Sequence, residues 1–490
     1  MLPGLTRRAP VARRRLLVLG LLCLPLGASS GGARAADFPV SNADQLKAAI
    51  EAANINGQAD TITLVKGTYT LTAPYNNGPN GLPAIVDEVA GTDVILNGND
   101  AVIQRGGATG TPPQFRIFFI AAGAGVTLSN LTIAGGDTAF DGGGIYNAGT
   151  LTVNNSTLSG NRADRGGGIY NAGGQGGTLT VNNSTFSGNS ALLGGGLRNV
   201  GFGGATVINS TFSGNNAVLT GGAINNDDGP LTLRSNTFSG NSAPVGGGIS
   251  NYAGRLVLSN TLLQTGTAGE NIYSENGTVV SQGYNLSSDN GGGFLTAPGD
   301  RTSTPTLLDP NGLQNNGGPT QTIALLPGSP AIDQGRDIGG TRRDQRGLVR
   351  PVDLSNVPNN ALGDGSDIGA FEVQNEIAGD TTPPVITSVS VSPNNLHPAN
   401  NKLVDVTVSY SVTDANDPSP DCELSVTSND PGTTRDDIII VDAHTVRLRA
   451  SKAKGGKSPD RVYTITITCT DASGNTARAT ATVTVSKKDK

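Results

Sequence analysis

The sequence predicts an all-β protein, with a right-handed parallel β-helix followed by an immunoglobulin-like β-sandwich. Three observations support this fold class. Two short units recur through the middle of the chain at intervals of roughly 26 residues, apolar and polar residues alternate inside each unit, and glycine supplies 70 of the 490 residues. Alternation is typical of strands, and glycine at this density favours tight corners between them. Collagen is excluded because glycine does not recur at every third position.

The repeat defines the length of one coil. The first unit ends in Ser-Gly-Asn and occurs at Leu151–Asn161, Leu179–Asn189, Ala205–Asn215 and Leu231–Asn241. The second unit begins with glycines and occurs at Gly142–Asn147, Gly166–Asn171, Gly194–Asn199, Gly221–Asn226 and Gly246–Asn251. The closing asparagines of the first unit lie 28, 26 and 26 residues apart. A single coil cannot bury its apolar side, so coils must stack to form a core.

Stacking places equivalent residues of successive coils directly above one another. Two interior columns are predicted, one of Leu158, Phe186, Phe212 and Phe238, the other of Ile145, Ile169, Leu197, Ile224 and Ile249. The recurring asparagines predict ladders of amide hydrogen bonds between coils. The glycines predict corners with positive φ and close approach of neighbouring coils. About nine or ten coils, at about 4.8 Å each, give a rod of roughly 45 Å.

The β-helix is predicted over residues 37–300, with a helix closing its N-terminal end. Ser41 or Asn42 is the expected N-cap of a helix over Asp44–Asn54, and the first coil is expected to begin at Thr61. A cap of this kind protects the open end of the stack from pairing with another chain. The apolar face of the helix consists of Leu46, Ile50 and Ala53.

The C-terminal part divides into three predicted segments. Residues 301–376 lose the period and are expected to close the far end of the stack, and residues 377–384 form a linker that ends in Pro383-Pro384. Residues 385–490 contain short alternating runs that predict the β-sandwich. Cys422 and Cys469 are the two cysteines left after export, so an oxidising compartment predicts a disulfide between them.

Residues 1–35 have the pattern of a bacterial signal peptide. A basic start with Arg13-Arg14-Arg15 precedes the apolar run Leu16–Leu26, and Ala33-Arg34-Ala35 offers a cleavage site. The segment carries six arginines and no acids, so the mature chain has 27 basic and 39 acidic residues, a balance of −12. This charge argues against nucleic acid as a partner, and no later segment is apolar enough to span a membrane. A secreted or cell-surface location is expected.

The repeats and the segment after them resemble known bacterial families. The Gly-Gly-Gly-Ile and Phe-Ser-Gly-Asn units resemble polymorphic-outer-membrane-protein repeats, and the implied fold is a pectate-lyase-like solenoid. Residues 283–372 resemble the choice-of-anchor Q domain, through Leu326–Asp333, Asp344–Gly347 and Asp367–Glu372. The C-terminal part is similar to bacterial extracellular Ig-like modules. The resemblance implies a surface-associated or secreted protein, with no general catalytic role.

A few charged and aromatic residues on the rod are candidates for contact with carbohydrate. Tyr146 and Tyr170 are expected on neighbouring coils, with Arg198 next in the same column, and the other candidates are Asp164, Arg165, Asp227 and Asp228. A sugar lying on the two rings, with Arg198 holding a carboxylate, is one interpretation. Solvated corner charges are the plainer alternative. No catalytic residue, metal site or cofactor is predicted.

Three functions remain open from the sequence. The preferred hypothesis is a structural or adhesive protein without catalytic activity, because both histidines, His397 and His444, lie outside the rod. The alternatives are a polysaccharide lyase or glycoside hydrolase acting on acidic polysaccharide, and a carbohydrate-binding protein without turnover. The expected partners are an extracellular polysaccharide or another cell surface.

Overall fold

The computed structural model describes residues 37–86, 93–106, 113–355, 357–374, 382–414, 417, 420–451, 460–471 and 474–486. The predicted signal peptide and most of the predicted linker lie outside these residues. The predicted architecture is confirmed: a parallel β-solenoid of about nine turns precedes two antiparallel sheets. Among the described residues, no helix combines the length and the apolar character needed to cross a bilayer.

Three rows of parallel strands enclose the core of the solenoid. The largest sheet has 17 strands and bends along its length, so that it supplies the first two rows. Two long strands, Val94–Arg105 and Gly125–Ala134, contribute to both rows. The other strands of the first row are Asp37–Val40, Asp60–Leu64, Thr150–Asn154, Thr178–Asn182, Ala205–Ile208, Pro230–Arg234, Arg255–Ser259 and Thr278–Ser281. The others of the second row are Thr68–Leu71, Thr157–Ser159, Thr185–Ser187, Thr211–Ser213, Thr237–Asn241, Leu262–Thr265 and Leu286–Ser287.

The third row is a separate sheet of seven strands, and its outer side is called the third face below. The strands are Phe118–Ile120, Ile145–Asn147, Ile169–Ala172, Leu197–Val200, Ile224–Asp227, Ile249–Tyr252 and Ile272–Glu275. A small two-stranded sheet pairs Ser190–Leu193 with Asn216–Thr220. Short 3-10 turns lie at Tyr75–Asn77, Gly173–Gln175 and Gly291–Gly293.

The predicted interior columns are confirmed by the strand register. Leu158, Phe186, Phe212 and Phe238 pair in sequence, coil upon coil. The isoleucine column pairs in the same way and extends to Phe118 at one end and Ile272 at the other. All of these side chains are fully buried, so the stacked coils share one continuous core.

Asparagine ladders join the coils inside the core. In one ladder, Nδ2 of Asn147, Asn171, Asn199 and Asn226 donates to Oδ1 of the equivalent residue on the next coil, at 2.7–2.8 Å. A second ladder runs through Asn161, Asn189, Asn215 and Asn241, at 2.9–3.0 Å. These bonds satisfy buried amides that would otherwise cost free energy. The predicted amide ladders are therefore confirmed.

Glycine and asparagine form the corners, for different reasons. Gly166 adopts φ 64°, whereas a Cβ on Gly167 would lie 2.5 Å from the carbonyl oxygen of Gly195 on the next coil. One glycine thus provides a left-handed turn and the other permits close approach. At the bend between the first two rows, Asn155 and Asn183 adopt φ 48° and 50°. Asparagine tolerates this region better than most residues, which explains the second residue of the repeated Asn-Asn pair.

The N-terminal helix is confirmed, but the sheet begins earlier than predicted. The helix spans Ala43–Asn56, and Asn42 is its N-cap, with the side chain accepting from the backbone N–H of Gln45 at 2.9 Å. Leu46 and Ile50 are buried against the solenoid core. The strand Asp37–Val40 precedes the helix and pairs with Asp60–Leu64, so the first coil starts before Thr61.

The segment after residue 300 begins on the last coil, where Arg301 bridges Leu286, and then follows a path that the sequence did not indicate. It runs back along the outer side of the second row, where Gln345 donates to Thr185 Oγ1 at 2.8 Å and accepts from Thr211 Oγ1 at 2.6 Å. Farther along, the backbone N–H of Ala370 donates to Thr237 Oγ1 at 2.9 Å. The segment therefore covers the flank of several coils.

The motif residues of this segment form a buried polar network. Arg350 donates to Glu372 Oε2 at 2.8 Å, and neither side chain is exposed. Asp344 accepts from the Nε of Arg346 at 2.7 Å and from the backbone N–H of Glu372 at 3.1 Å. The backbone N–H of Asp333 donates to Asp367 Oδ1 at 2.8 Å. Buried charges need such partners, so these motifs hold the segment together.

The C-terminal part is a sandwich of two antiparallel sheets that share a core. The four-stranded sheet has the order Val385–Ser392, Leu403–Thr413, Thr445–Arg449 and Ile438–Asp442, and a 3-10 turn at Arg435–Asp437 precedes the last of these strands. The three-stranded sheet has the order Asp421–Ser428, Arg461–Thr470 and Thr476–Val485. The predicted Cys422–Cys469 disulfide is present, and it joins directly paired residues of one sheet. It therefore differs from the inter-sheet bridge of antibody domains.

Candidate binding face of the solenoid

One outward-pointing residue from each strand of the third row forms a column along the third face. The register pairs these residues one by one. The column consists of Phe119, Tyr146, Tyr170, Arg198, Asn225, Ser250 and Tyr273. It is called the central column below. The sequence placed Tyr146, Tyr170 and Arg198 in one column, and the register confirms this order.

The aromatic part of the central column is a closed stack. The ring centroids of Phe119 and Tyr146 lie 5.1 Å apart with planes inclined by 9°, and those of Tyr146 and Tyr170 lie 5.3 Å apart at 15°. Each ring thus covers a face of its neighbour, and Tyr170 is only 8% exposed. A ligand reaching this part of the third face would meet ring edges, and a sugar lying flat on both rings does not fit the geometry.

Arginine side chains flank the rings. The guanidinium of Arg116 lies 5.1 Å from the ring centroid of Tyr146, and that of Arg165 lies 5.7 Å from the centroid of Tyr170. These distances are within the range of cation–π attraction. Arg116 is buried, which lowers its pKa despite the opposing charge of Asp141. Sequence reasoning missed Arg116, because it precedes the first glycine unit and no repeat marks it.

Ion pairs between neighbouring coils neutralise the candidate charges on the third face. Arg165 donates to Asp141 at 2.5 Å, and Arg198 donates to Asp227 at 2.5 Å. Burial acts to lower the pKa of Arg165, but the hydrogen bond to Asp141 and the charges of Asp141, Tyr170 and Asp164 together outweigh it, so the pKa is raised. The pKa of Tyr170 is raised mainly by burial and then by the charge of Asp141. Both arginines are therefore paired with an acid of a neighbouring coil.

Two of the candidate residues lie elsewhere. Asp164 is exposed and lines a separate groove of about 190 Å³ with Asp137 and Arg162. Asp228 is exposed at a turn with φ 66°. Asp228 and Gly229 thus connect the strands Ile224–Asp227 and Pro230–Arg234. The structure brings together Tyr146, Tyr170, Arg165, Arg198 and Asp227, and leaves Asp164 and Asp228 apart.

A groove of about 310 Å³ opens on the third face beyond Arg198. Its lining includes Asn225 and Ser250 of the central column, together with Tyr252, Tyr273 and Glu275. Arg198 and Asp227, two of the candidates predicted from the sequence, also line it, but the groove itself was not predicted. The signal was present in the column itself, where two small side chains follow a run of large ones.

The sandwich has a polar groove of its own, of about 420 Å³. Arg461 lines it and pairs with Asp430 at 3.0 Å and Asp437 at 3.1 Å, and Arg449 pairs with Asp437 at 2.6 Å. These charges therefore satisfy one another within the domain. Across the described ranges, no group of three or more histidine, cysteine, aspartate or glutamate side chains is arranged to hold a metal ion.

Comparison with known proteins gives no match. Neither a protein-family model, nor a curated protein, nor a solved structure is significantly similar to this chain. The likeness to the repeat and choice-of-anchor Q families therefore stays a prediction from short motifs.

Proposed function

We propose that the protein is an exported β-helix without catalytic activity, which holds a rigid surface toward another cell or an extracellular polymer. The observation that carries this proposal is the unbroken register of the third row, from Phe118 to Ile272. Every coil of this row repeats the strand of the coil before it, and a ladder of buried asparagines runs inside from Asn147 to Asn251. Such a stack keeps its surface side chains at fixed spacings of about 4.8 Å.

The pairing of charged side chains supports a non-catalytic role. Glycoside cleavage requires a carboxylic acid and a carboxylate placed around the scissile bond, and lyases require a base near the sugar. On the third face, Asp141 and Asp227 are each bonded to an arginine of a neighbouring coil. Asp137 is also paired, with Arg105 at 3.4 Å. Paired acids of this kind stabilise contacts between coils.

The N-terminal sequence and the charge of the chain support export. The basic start, apolar run and Ala33-Arg34-Ala35 site belong to a secretory signal peptide, and the disulfide suits an oxidising compartment. The motifs that resemble choice-of-anchor Q and Ig-like modules agree with a surface or secreted location. Intact-mass measurement on protein from the culture medium or cell surface tests this, and a chain starting at Ala36 is expected.

A carbohydrate-binding protein without turnover is the second candidate. The groove beside Arg198, with Tyr252 and Tyr273 in its lining, favours it over an enzyme. The two candidates are compatible, because an adhesive rod needs a surface that recognises something.

The experiment that tests the proposal combines an activity assay with an adhesion assay. The mature protein is incubated with pectin, alginate and chondroitin sulfate, with and without calcium, and new unsaturated or reducing ends are measured. No product is expected. Beads coated with the protein are expected to adhere to cells or extracellular matrix more than beads coated with serum albumin. Product formation would overturn the proposal, and so would equal adhesion of the two kinds of beads.

A further inference from the structure

The groove on the third face exists because the central column changes character. From Phe119 to Arg198 the column carries large side chains, and Tyr273 restores a large one. Between them, Asn225 and Ser250 are small, so they form a floor below their neighbours. Both are at least 95% buried. The depression spans four coils, or roughly 14 Å at about 4.8 Å per coil, which accommodates a short oligosaccharide.

The floor and one end of the groove carry polar atoms without partners. Oδ1 of Asn225 and both Nε and Nη1 of Arg198 are buried and have no hydrogen-bonding partner among the residues that the structure describes. Asn225 Nδ2 donates to Thr220 Oγ1 at 2.9 Å, which turns the carbonyl of the amide away from that threonine. Arg198 is 7% exposed and Asn225 is 5% exposed. Unsatisfied polar groups at such depth are uncommon in folded proteins and call for a partner.

Aromatic side chains stand at the wall and far end. Tyr252 lies in the column beside Ser250 and is 48% exposed, and Tyr273 closes the far end, with its hydroxyl 3.3 Å from Glu275. An exposed tyrosine ring offers an apolar face and a polar tip to a ligand. Leu193 and Val245 line the opposite wall. The groove therefore combines apolar walls with a few fixed polar groups, as ligand sites do.

We propose that this groove binds an uncharged oligosaccharide. Sugar hydroxyls donate and accept hydrogen bonds, which suits the carbonyl of Asn225 and the guanidinium of Arg198, and the C–H faces of pyranose rings suit the ring of Tyr252. This proposal rests on the adhesive function proposed above, and it names the class of ligand that the rod would recognise.

The charge of the groove argues against an acidic sugar. Arg198 is the cation of the lining, and it is bonded to Asp227. Glu275 adds a second negative charge. A carboxylated sugar would therefore meet two acids and one paired cation, and like charges in a partly buried site oppose binding. The acidic polysaccharides expected from the sequence fit this groove less well than neutral ones.

Binding of the full mature chain to defined oligosaccharides tests the proposal. Calorimetry or glycan-array measurements use cellohexaose, xylohexaose, mannohexaose and dextran oligomers as uncharged probes, with oligogalacturonate and oligoalginate as acidic ones. At least one uncharged probe is expected to bind. Tyr252→Ala is expected to weaken it roughly tenfold or more, since aromatic anchors dominate such contacts.

A filling variant makes the test independent of lost stability. Ser250→Tyr rebuilds the large column and occupies the groove, so it is expected to abolish binding while the fold is retained by circular dichroism. Phe202→Ala removes an aromatic side chain that is 91% exposed outside the groove lining, and it is expected to bind as wild type does. Tyr146→Ala, on the same face but outside the groove lining, is expected to retain binding too.

Each other outcome separates this inference from the proposed function. Binding that survives Ser250→Tyr, or that is lost only in Tyr146→Ala, would overturn the groove and leave the adhesive rod intact. Preference for the acidic probes would overturn the uncharged class. No binding to any probe would overturn the inference, while bead adhesion would still decide the proposed function. Conversion of any probe into product would overturn both.

Discussion

Phe186 and Phe212 lie one coil apart with their ring centroids 4.5 Å from each other and their planes inclined by 11°. Phe238 continues the stack at 4.9 Å. Each ring is fully buried and fills the interior of its own coil. The contact therefore contributes twice, by removing apolar area from water and by setting the height of one coil above the next.

Replacing the middle ring tests this column. Phe212→Ala leaves a cavity between two rings and is expected to destabilise the solenoid by about 3–5 kcal/mol. Phe202→Ala, at an exposed position, is expected to change the free energy of unfolding by less than about 0.5 kcal/mol. Urea denaturation followed by circular dichroism measures both. Equal effects of the two variants would contradict the conclusion that the phenylalanine column stabilises the solenoid core.

Two glycines test whether the close approach of neighbouring coils requires a residue without a Cβ. A Cβ on Gly195 would lie 2.4 Å from the carbonyl oxygen of Gly222 and 2.5 Å from that of Asn216, both backbone atoms of the next coil. Gly195→Ala is therefore expected to cost about 1–3 kcal/mol or to prevent folding. Gly174 has open space at the same position, and Gly174→Ala is expected to be neutral. Thermal unfolding of the two variants distinguishes them, and equal melting points would contradict the tight contact.

The repeated part of the fold was predictable because periodicity acts on every coil alike. Once Phe186, Phe212 and Phe238 are known to recur at one interval, stacking fixes their contacts. The strand Asp37–Val40 was missed because it precedes the first recognisable repeat. The path of the segment after residue 300 was missed for another reason. Its contacts combine single polar matches, such as that of Gln345 with Thr211, with a small apolar cluster around Leu262 and Leu286, and none of them follows a repeat in the sequence.

The candidate site was predictable only in part. The order of Tyr146, Tyr170 and Arg198 follows from the repeat. The closed stacking of the rings depends on side-chain torsions that the sequence does not specify. The groove exists because Asn225 and Ser250 have smaller side chains than their neighbours in the central column. In the sequence, such small residues cannot be distinguished from ordinary variation within a repeat. Arg116 lies against the rings of Phe119 and Tyr146, and it comes from a coil that carries no glycine unit.

The inner asparagine ladder predicts a large cost for an apolar replacement. Asn199 accepts from Asn171 at 2.8 Å and donates to Asn226 at 2.7 Å, and all three are fully buried. Asn199→Leu removes hydrogen-bonding partners from both neighbours and is expected to cost about 2–4 kcal/mol.

An outer asparagine pair provides the matched control. Asn182 donates to Asn154 at 2.9 Å, and both side chains remain partly open to water. Asn182→Leu is expected to cost less than about 1 kcal/mol, because water replaces the lost partner. Denaturation midpoints compare the two variants. A larger loss for Asn182→Leu than for Asn199→Leu would contradict the role of burial.

The disulfide is expected to affect the sandwich and leave the solenoid unchanged. Cys422 and Cys469 close an interval of 47 residues, which contributes roughly 4 kcal/mol in the chain-entropy model. The sequence has no cysteine between residues 24 and 421. Calorimetry with and without reductant should therefore show the sandwich transition at a lower temperature and the solenoid transition unmoved. A shift of both transitions would show that the two parts unfold together.

Asp333 predicts a specific dependence of stability on pH. Burial raises its pKa to about 6, with a further contribution from the charge of Asp353, although its hydrogen bond from the backbone N–H of Leu354 acts in the other direction. Its Oδ1 has no hydrogen-bonding partner among the described residues. An acid with a raised pKa binds its proton more tightly in the folded chain, so stability falls as pH rises from about 4 to about 6.

Asp333→Asn removes this titration while keeping an oxygen for the N–H of Leu354. The variant is therefore expected to match the wild-type melting point at pH 4 and to exceed it at pH 7. A smaller dependence of the melting point on pH should remain in this variant, because burial also raises the pKa of Asp367 and brings that of Glu372 to about 7. Asp353→Asn should reduce the wild-type slope, since it removes the neighbouring charge. Melting points measured from pH 4 to pH 7 decide the matter, and an Asp333→Asn slope as steep as that of the wild type would show that Asp333 is ionised in the folded protein without cost.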